Sequence, residues 1–154
     1  MLRSVSFSGT QDGMTEAQQA MVINLVQEFE EEDGMKEVHH GDCVGSDNQF
    51  HDIILEHTKA NIHIHPGTDN FGEMPKRAHC KGPTERIRMY DPKPYLARNI
   101  DIVKAGDALL ATPQQAQMVT RSGTWSTVRK AKRYQKALYV ILPDGYVLDA
   151  VEEE

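Results

Sequence analysis

Short alternating runs and longer amphipathic ones follow each other along the chain, and their two periods identify the elements. Val5 and Phe7 alternate with Ser4 and Ser6, which predicts a strand over Leu2–Phe7. Ser8–Gly13 follows as turn chemistry. Thr15 with Gln18 three residues later is a capping-box signature. Ala17, Met21, Leu25 and Phe29 continue it at near-helical spacing, and Gly34 closes the helix. The same reading gives strands at Glu37–His40, Asn61–His65, Asp107–Ala111 and Ala137–Leu142. Helices fall at Asn48–Ala60, Tyr95–Lys104 and Gly123–Lys136, the first with Phe50, Ile53, Ile54 and His57 on one face. Tyr146–Val151 reads as a last short strand. Pro66–Pro94 is rich in Pro, Gly and charge and too long for an idle loop, so it is expected to carry function.

Strands alternating with helices imply right-handed crossovers and a parallel sheet covered on both faces. The expected fold class is α/β: a single three-layer domain over residues 1–154, with a mainly parallel five-stranded sheet of order 3-2-1-4-5. Ligands of such sheets sit beyond the carboxyl ends of the strands. Ser8–Gly13, Gly41–Asp47, His65–Thr68, Thr112-Pro113 and Ser122–Thr127 are therefore expected to converge on one edge.

Composition adds bounds. The chain has 154 residues, 39% hydrophobic and 26% charged, which fits one globular domain. Its formal charge is −6, from 17 basic and 23 acidic residues, which excludes a surface that is basic throughout. Glu28, Glu30–Asp33 and the tail Glu152–Glu154 supply the excess acid. Two cysteines make no disulfide scaffold, and no apolar run approaches a membrane span, so a reducing cytoplasm is the expected compartment and no membrane partner is expected.

Five constellations carry candidate chemistry. Ser8-Gly9-Thr10 combines small donors with a glycine that lets backbone approach a phosphate. Gly41, Asp42, Gly45, Ser46 and Asp47 form a turn feeding a helix, with Asp47 near its N-cap as a hydroxyl acceptor; capping alone would explain Asp42 and Asp47 equally well. Lys76, Arg77, Lys81, Arg86, Arg88, Lys93 and Arg98, with Tyr90 and Tyr95 interleaved, suit phosphate or single-stranded nucleic acid. Ser122-Gly123-Thr124 opens a helix as an anion site, with the only Trp, Trp125, expected in the core behind it. His63 and His65 alternate on one strand face, but without a Cys-x-x-Cys or HExxH pattern no metal is expected. Neither a GxGxxG nor a GxxxxGK[ST] pattern occurs, and no cofactor is expected.

Four pieces in order resemble the SLOG superfamily of Rossmann-like proteins. They are Ser8-Gly9-Thr10, Gly41–Asp47, Arg98-Asn99 leading into Asp107-Ala108-Leu109-Leu110, and Ser122-Gly123-Thr124. That group includes the DNA-processing protein A family and the Lonely-guy phosphoribohydrolases, and the likeness is greatest to small stand-alone bacterial or phage members. The resemblance implies a nucleotide-type ligand at the strand ends, and relatives of this kind often form homodimers. Two departures stand out. The glutamate of the phosphoribohydrolase motif falls at Thr127, and Thr120-Arg121-Ser122 replaces the preceding Pro-Gly-Gly. A hydroxyl cannot act as the carboxylate of glycosidic cleavage.

Three functions follow as expectations. The first is binding of a nucleotide-like phosphorylated ligand by Ser8–Thr10 or Ser122–Thr124, with Asp47 on the sugar and Arg77 or Arg98 supplying charge. The second is cleavage or transfer at an N-glycosidic bond, with Asp47, Asp42 or Glu85 as the acid. The third is single-stranded DNA binding through the Lys76–Arg98 run.

Overall fold

The computed structural model describes residues 1–117 and 122–148. Thr120, Arg121, the end of the 146–151 segment and the acidic tail at 152–154 lie outside the described residues. Strand β1 (Ser4–Gly9) is followed by α1 (Glu16–Glu28), β2 (Glu37–His40), α2 (Ser46–His57) and β3 (Asn61–Ile64). A paired ribbon, β4 (Gly67–Thr68) with β6 (Lys93–Pro94), brackets a third parallel segment, β5 (Ile87–Met89). Then come α3 (Tyr95–Ala105), β7 (Ala108–Thr112), α4 (Gly123–Arg133) and β8 (Ala137–Val140).

The main sheet has six parallel strands in the order β5-β3-β2-β1-β7-β8. The five strands expected from periodicity keep the expected order, and β5 is added outside β3. Residues 66–94 are therefore not only a loop. Ile87-Arg88-Met89 does alternate, but three residues inside a stretch rich in Pro, Gly and charge are too few to stand out as a strand. Arg86 fixes its position by donating to the carbonyls of Ile54, Thr58 and Ala60 at and just beyond the end of α2.

Alternation in β1 divides the molecule. Val5 and Phe7 point into a core with Val38, Ile62, Ile64, Val22, Val26 and Phe50, beneath α1 and α2. Phe7 and Phe50 stack with centroids 4.2 Å apart. The other face carries Ser4 and Ser6, whose hydroxyls donate to the carbonyls of Ala105 and Ile102 and so dock α3. A second apolar cluster of Leu109, Ala111, Val140, Trp125, Val128 and Ala131 seats α4.

The buried stripe of α1 is Gln18, Val22 and Val26, continued by Phe29, not Ala17, Met21 and Leu25. Ala17 is exposed and the other two are half-buried. The capping box explains the one-residue rotation. Thr15 and Gln18 exchange both hydrogen bonds at 3.0 Å. The Gln18 amide then donates to Pro113 O and Ile141 O, each at 2.9 Å, pulling its face inward. Past Glu28 the helix widens into a π-helical turn, Phe29–Asp33, closed by Gly34 at φ 72°, a left-handed conformation that favours glycine.

Gln18→Ala should therefore destabilise more than Thr15→Ala. The first leaves two buried carbonyls without a donor, at about 2–3 kcal/mol; the second removes one cap, at about 1 kcal/mol. Urea midpoints of the two variants check the order, and equal losses would contradict it.

Candidate functional site

The turns after β1 and β2, the loop after β7 and the starts of α3 and α4 enclose a cleft of about 470 Å³ at the carboxyl edge of the sheet. Ser8, Gly9, Thr10, Gly41, Asp47, Arg98, Asn99, Ser122, Gly123 and Thr124 all line it, so most of the expected site residues meet at one place.

Gly45, Ser46, Asp42 and Arg77 do not line it. Ser46 is buried behind the first turn, its hydroxyl accepting from Thr10 N at 3.1 Å while its own amide donates to Thr10 O. Gly45 adopts φ 90°, and a Cβ there would lie 2.2 Å from Gln11 O. Asp42 is fully buried and accepts from Arg77 Nε at 2.8 Å and Cys80 N at 2.9 Å. Burial raises its pKa, but these hydrogen bonds outweigh that and hold the carboxyl below its usual range. The pair clamps residues 77–80 onto the β2 turn, which commits Arg77 to structure.

Arg98 is buried in the cleft wall. Its Nη1 donates to Gly41 O at 2.7 Å and His65 O at 2.9 Å, and its Nε donates to Asn99 Oδ1 at 2.8 Å. A Cβ on Gly41 would sit 2.5 Å from Nη1, and one on Gly67 2.9 Å from Cζ, so glycines on two loops make room for the guanidinium. Asp47, in the first turn of α2, accepts from Gly41 N and Cys43 N through Oδ2, at 3.2 and 3.1 Å. Its Oδ1 accepts no hydrogen bond among the described residues and belongs to a residue that lines the cleft. Desolvation lifts its pKa to about 6, against the opposing pull of Arg98 and the two amides. Cys43 beside it is pushed up to about 11, mainly by burial, so its thiol is neutral.

On the opposite wall, Ser122 caps α4 by accepting from Trp125 N at 3.1 Å. Trp125 is buried, as expected, and its Nε1 donates to Gln115 O, tying the loop after β7 to α4. The first-turn amides of a helix have no carbonyl partner within it. A Cβ on Gly123 would meet nothing within 4 Å, so the backbone is open to a ligand there. Thr127 Oγ1 donates to Gly123 O at 3.0 Å, so its hydroxyl is turned back onto the helix. Lys76 and Tyr95 of the basic run also line the cleft, as do Gln114 and Gln115, which were not among the expected site residues. Gln114 and Gln115 follow β7 directly, so the strand-end rule that selected Thr112-Pro113 could have reached them.

Five of the seven histidines form two networks outside the cleft. His40, His51 and Cys80 bring their ligating atoms within 4.8 Å of one another. Their protons argue against a cation. Asp42 N donates to His40 Nδ1, so the His40 proton sits on Nε2 and is donated to His51 Nδ1; His51 Nε2 then donates to Lys81 O. Every imidazole lone pair is engaged. In the second network His39 stacks on His63 and hydrogen-bonds His65 at 3.0 Å. His63 donates to Glu37 at 2.6 Å.

No protein-family model matches the chain, and no curated protein is similar to it. No helix among the described residues is long and apolar enough to cross a membrane.

Burial, reinforced by neighbouring imidazoles, lowers His39 and His40 from 6.5 to about 3 and His65 to about 4. The unfolded chain protonates these groups below pH 6.5 and the native state does not, so stability falls as pH drops. Asp47 acts the other way between its ordinary 3.8 and about 6, where only the native state keeps its proton. The balance from pH 6 to 4 is about two protons, or roughly 3 kcal/mol per pH unit. Urea midpoints measured at pH 7, 6, 5 and 4 should drop steeply below 6; a flat profile would contradict the neutral-imidazole assignment.

Proposed function

We propose that the cleft binds a nucleotide-like phosphorylated ligand. Its phosphate would lie against the start of α4 and the Ser8–Thr10 turn. A sugar hydroxyl would donate to Asp47 Oδ1, and the Arg98 guanidinium would supply positive potential from the wall. The open backbone at Gly123 is the observation that carries this reading. A helix N-terminus attracts anions through its unpaired amides, and here it faces a turn of small hydroxyl residues across a cleft of nucleotide size. The likeness to SLOG proteins points the same way.

Asp47 supports a second reading, hydrolysis or transfer at an N-glycosidic bond. A cleft carboxyl with a pKa of about 6 and an open Oδ1 can exchange a proton near neutral pH. Thr127 offers no such group. The single-stranded DNA reading loses support, because most of its cations are committed. Arg77 pairs with Asp42, Arg86 caps α2, Lys93 pairs with Asp101 at 2.6 Å, and Arg98 is buried.

Gly123→Ala should leave the melting temperature unchanged or slightly higher, since the methyl meets no neighbour and alanine favours a helix. It should weaken nucleoside monophosphate binding several-fold by crowding the phosphate. Unchanged affinity for every nucleoside monophosphate tested would remove the site. In parallel, release of free base should be slow or absent, and any release should vanish in Asp47→Asn. Chromatography of the reaction mixture reads this, and base release that survives the substitution would exclude Asp47 as the acid.

A further inference from the structure

A second cleft, of about 520 Å³, lies on the other side of α3. Helix α3 forms the wall between the two. Tyr95, Asn99 and Ile102 face the first, Asp101, Lys104 and Ala105 face the second, and Arg98 reaches both. The floor of the second is built from residues just past the carboxyl ends of β3 and β5. His65 and Tyr90 stack there, with centroids 4.3 Å apart and ring planes within 9°.

The hydrogen-bond network fixes the His65 tautomer. Ser4 Oγ spends its proton on Ala105 O, so it accepts from His39 Nε2. His39 Nδ1 then carries a lone pair and accepts from His65 Nε2. His65 Nδ1 is left as an unprotonated acceptor with no partner among the described residues, on a residue that lines this cleft. Among the described residues Thr112 Oγ1 is the one fully buried side-chain polar atom without a partner, so His65 Nδ1 meets solvent and is open to a donor from outside.

The remaining groups narrow the donor. Lys93 is held by Asp101, Arg98 by two backbone carbonyls, and the Lys104 ammonium lies 5.6 Å from the Tyr134 ring centroid. These three cations disfavour a cationic ligand, while Lys93 and Lys104 keep N–H donors for the acceptors of a neutral one. Tyr90 OH donates to His63 Nδ1, because His63 donates through Nε2 to Glu37. Beside the partly exposed Tyr90 ring the cleft thus offers two acceptors, His65 Nδ1 and the Asp91 carboxylate, and two ammonium donors. Acceptors and donors flanking an aromatic face match a neutral ring that carries several hydroxyls, each of which can donate and accept.

We propose that this second cleft binds a neutral polyhydroxylated ring, a saccharide or the ribose of a nucleoside, with one hydroxyl donating to His65 Nδ1 and another to the Asp91 carboxylate. The site is independent of the nucleotide reading of the first cleft.

Long-range nitrogen–proton NMR of protein labelled in histidine tests it. Without ligand, His65 Nδ1 should resonate as an unprotonated nitrogen. Methyl ribofuranoside or methyl glucopyranoside should shift that signal saturably and leave His40 and His51 unmoved, and whichever binds more tightly identifies the ring. The fully O-methylated ethers cannot donate and should have no effect. Asp91→Asn, at an exposed position that spares the fold, should weaken binding about tenfold, the loss of one charge-assisted hydrogen bond. A protonated His65 Nδ1, silence towards both glycosides, equal shifts with the ethers, or unchanged affinity in Asp91→Asn would each overturn the proposal.

Discussion

The carboxyl edge of this sheet depends on one buried cation. Arg98 reaches from the first turn of α3 between two glycines and joins the loop after β2 to the loop after β3 through their carbonyl groups. Removing one partner of a buried, fully bonded charge leaves the others desolvated and unpaired. Here the others include Gly41, whose amide in turn orients the Asp47 carboxylate. The guanidinium therefore shapes the first cleft and opposes the burial that raises the pKa of its central carboxyl. Lysine would not replace it, because one ammonium cannot present donors to two loops and to Asn99 in a single plane.

The two faces of the sheet are held by different chemistry. Under α1 and α2 the contact is apolar and closely packed, with parallel stacking of Phe7 on Phe50. Under α3 it is polar: serine hydroxyls on helix carbonyls, then a ladder of imidazoles and a phenol across β2, β3 and the end of β5. Apolar contacts are not directional, whereas each imidazole here has one permitted proton position. The polar face is accordingly the more exacting of the two, and it is the face against which both clefts are built.

Much of this was legible in the residues, because much of it is local. The alternation in β1, the apolar run of β7 and the capping box at Thr15 depend on near neighbours only, and they give the strand order once right-handed crossovers are assumed. The convergence of Ser8–Thr10, Asp47 and Ser122–Thr124 followed from a rule about strand ends. Long-range pairing was not legible. Asp42 and Arg77 look like ligand groups until the fold brings them 2.8 Å apart. The inward turn of Gln18 depends on carbonyls at Pro113 and Ile141. Strand β5 is only three residues long, too short for its alternation to be read, and owes its place to Arg86 and to the exposed edge of β3.

The central strand is made early and completed late. β1 pairs with β2 within about forty residues of chain, yet its other neighbour, β7, begins at Ala108, and the hydroxyls of Ser4 and Ser6 wait for α3. During synthesis β1, β2 and β3 can assemble with α1 and α2 while one side of β1 is still an open edge and its polar face is still wet. That intermediate has an apolar core but lacks both cleft walls that α3 provides. Pairing over such sequence distances is slow to nucleate, and an open parallel edge is a template for other chains. On a ribosome, the interval between residues 65 and 112 is when this protein is most exposed to aggregation, and when a chaperone would matter most.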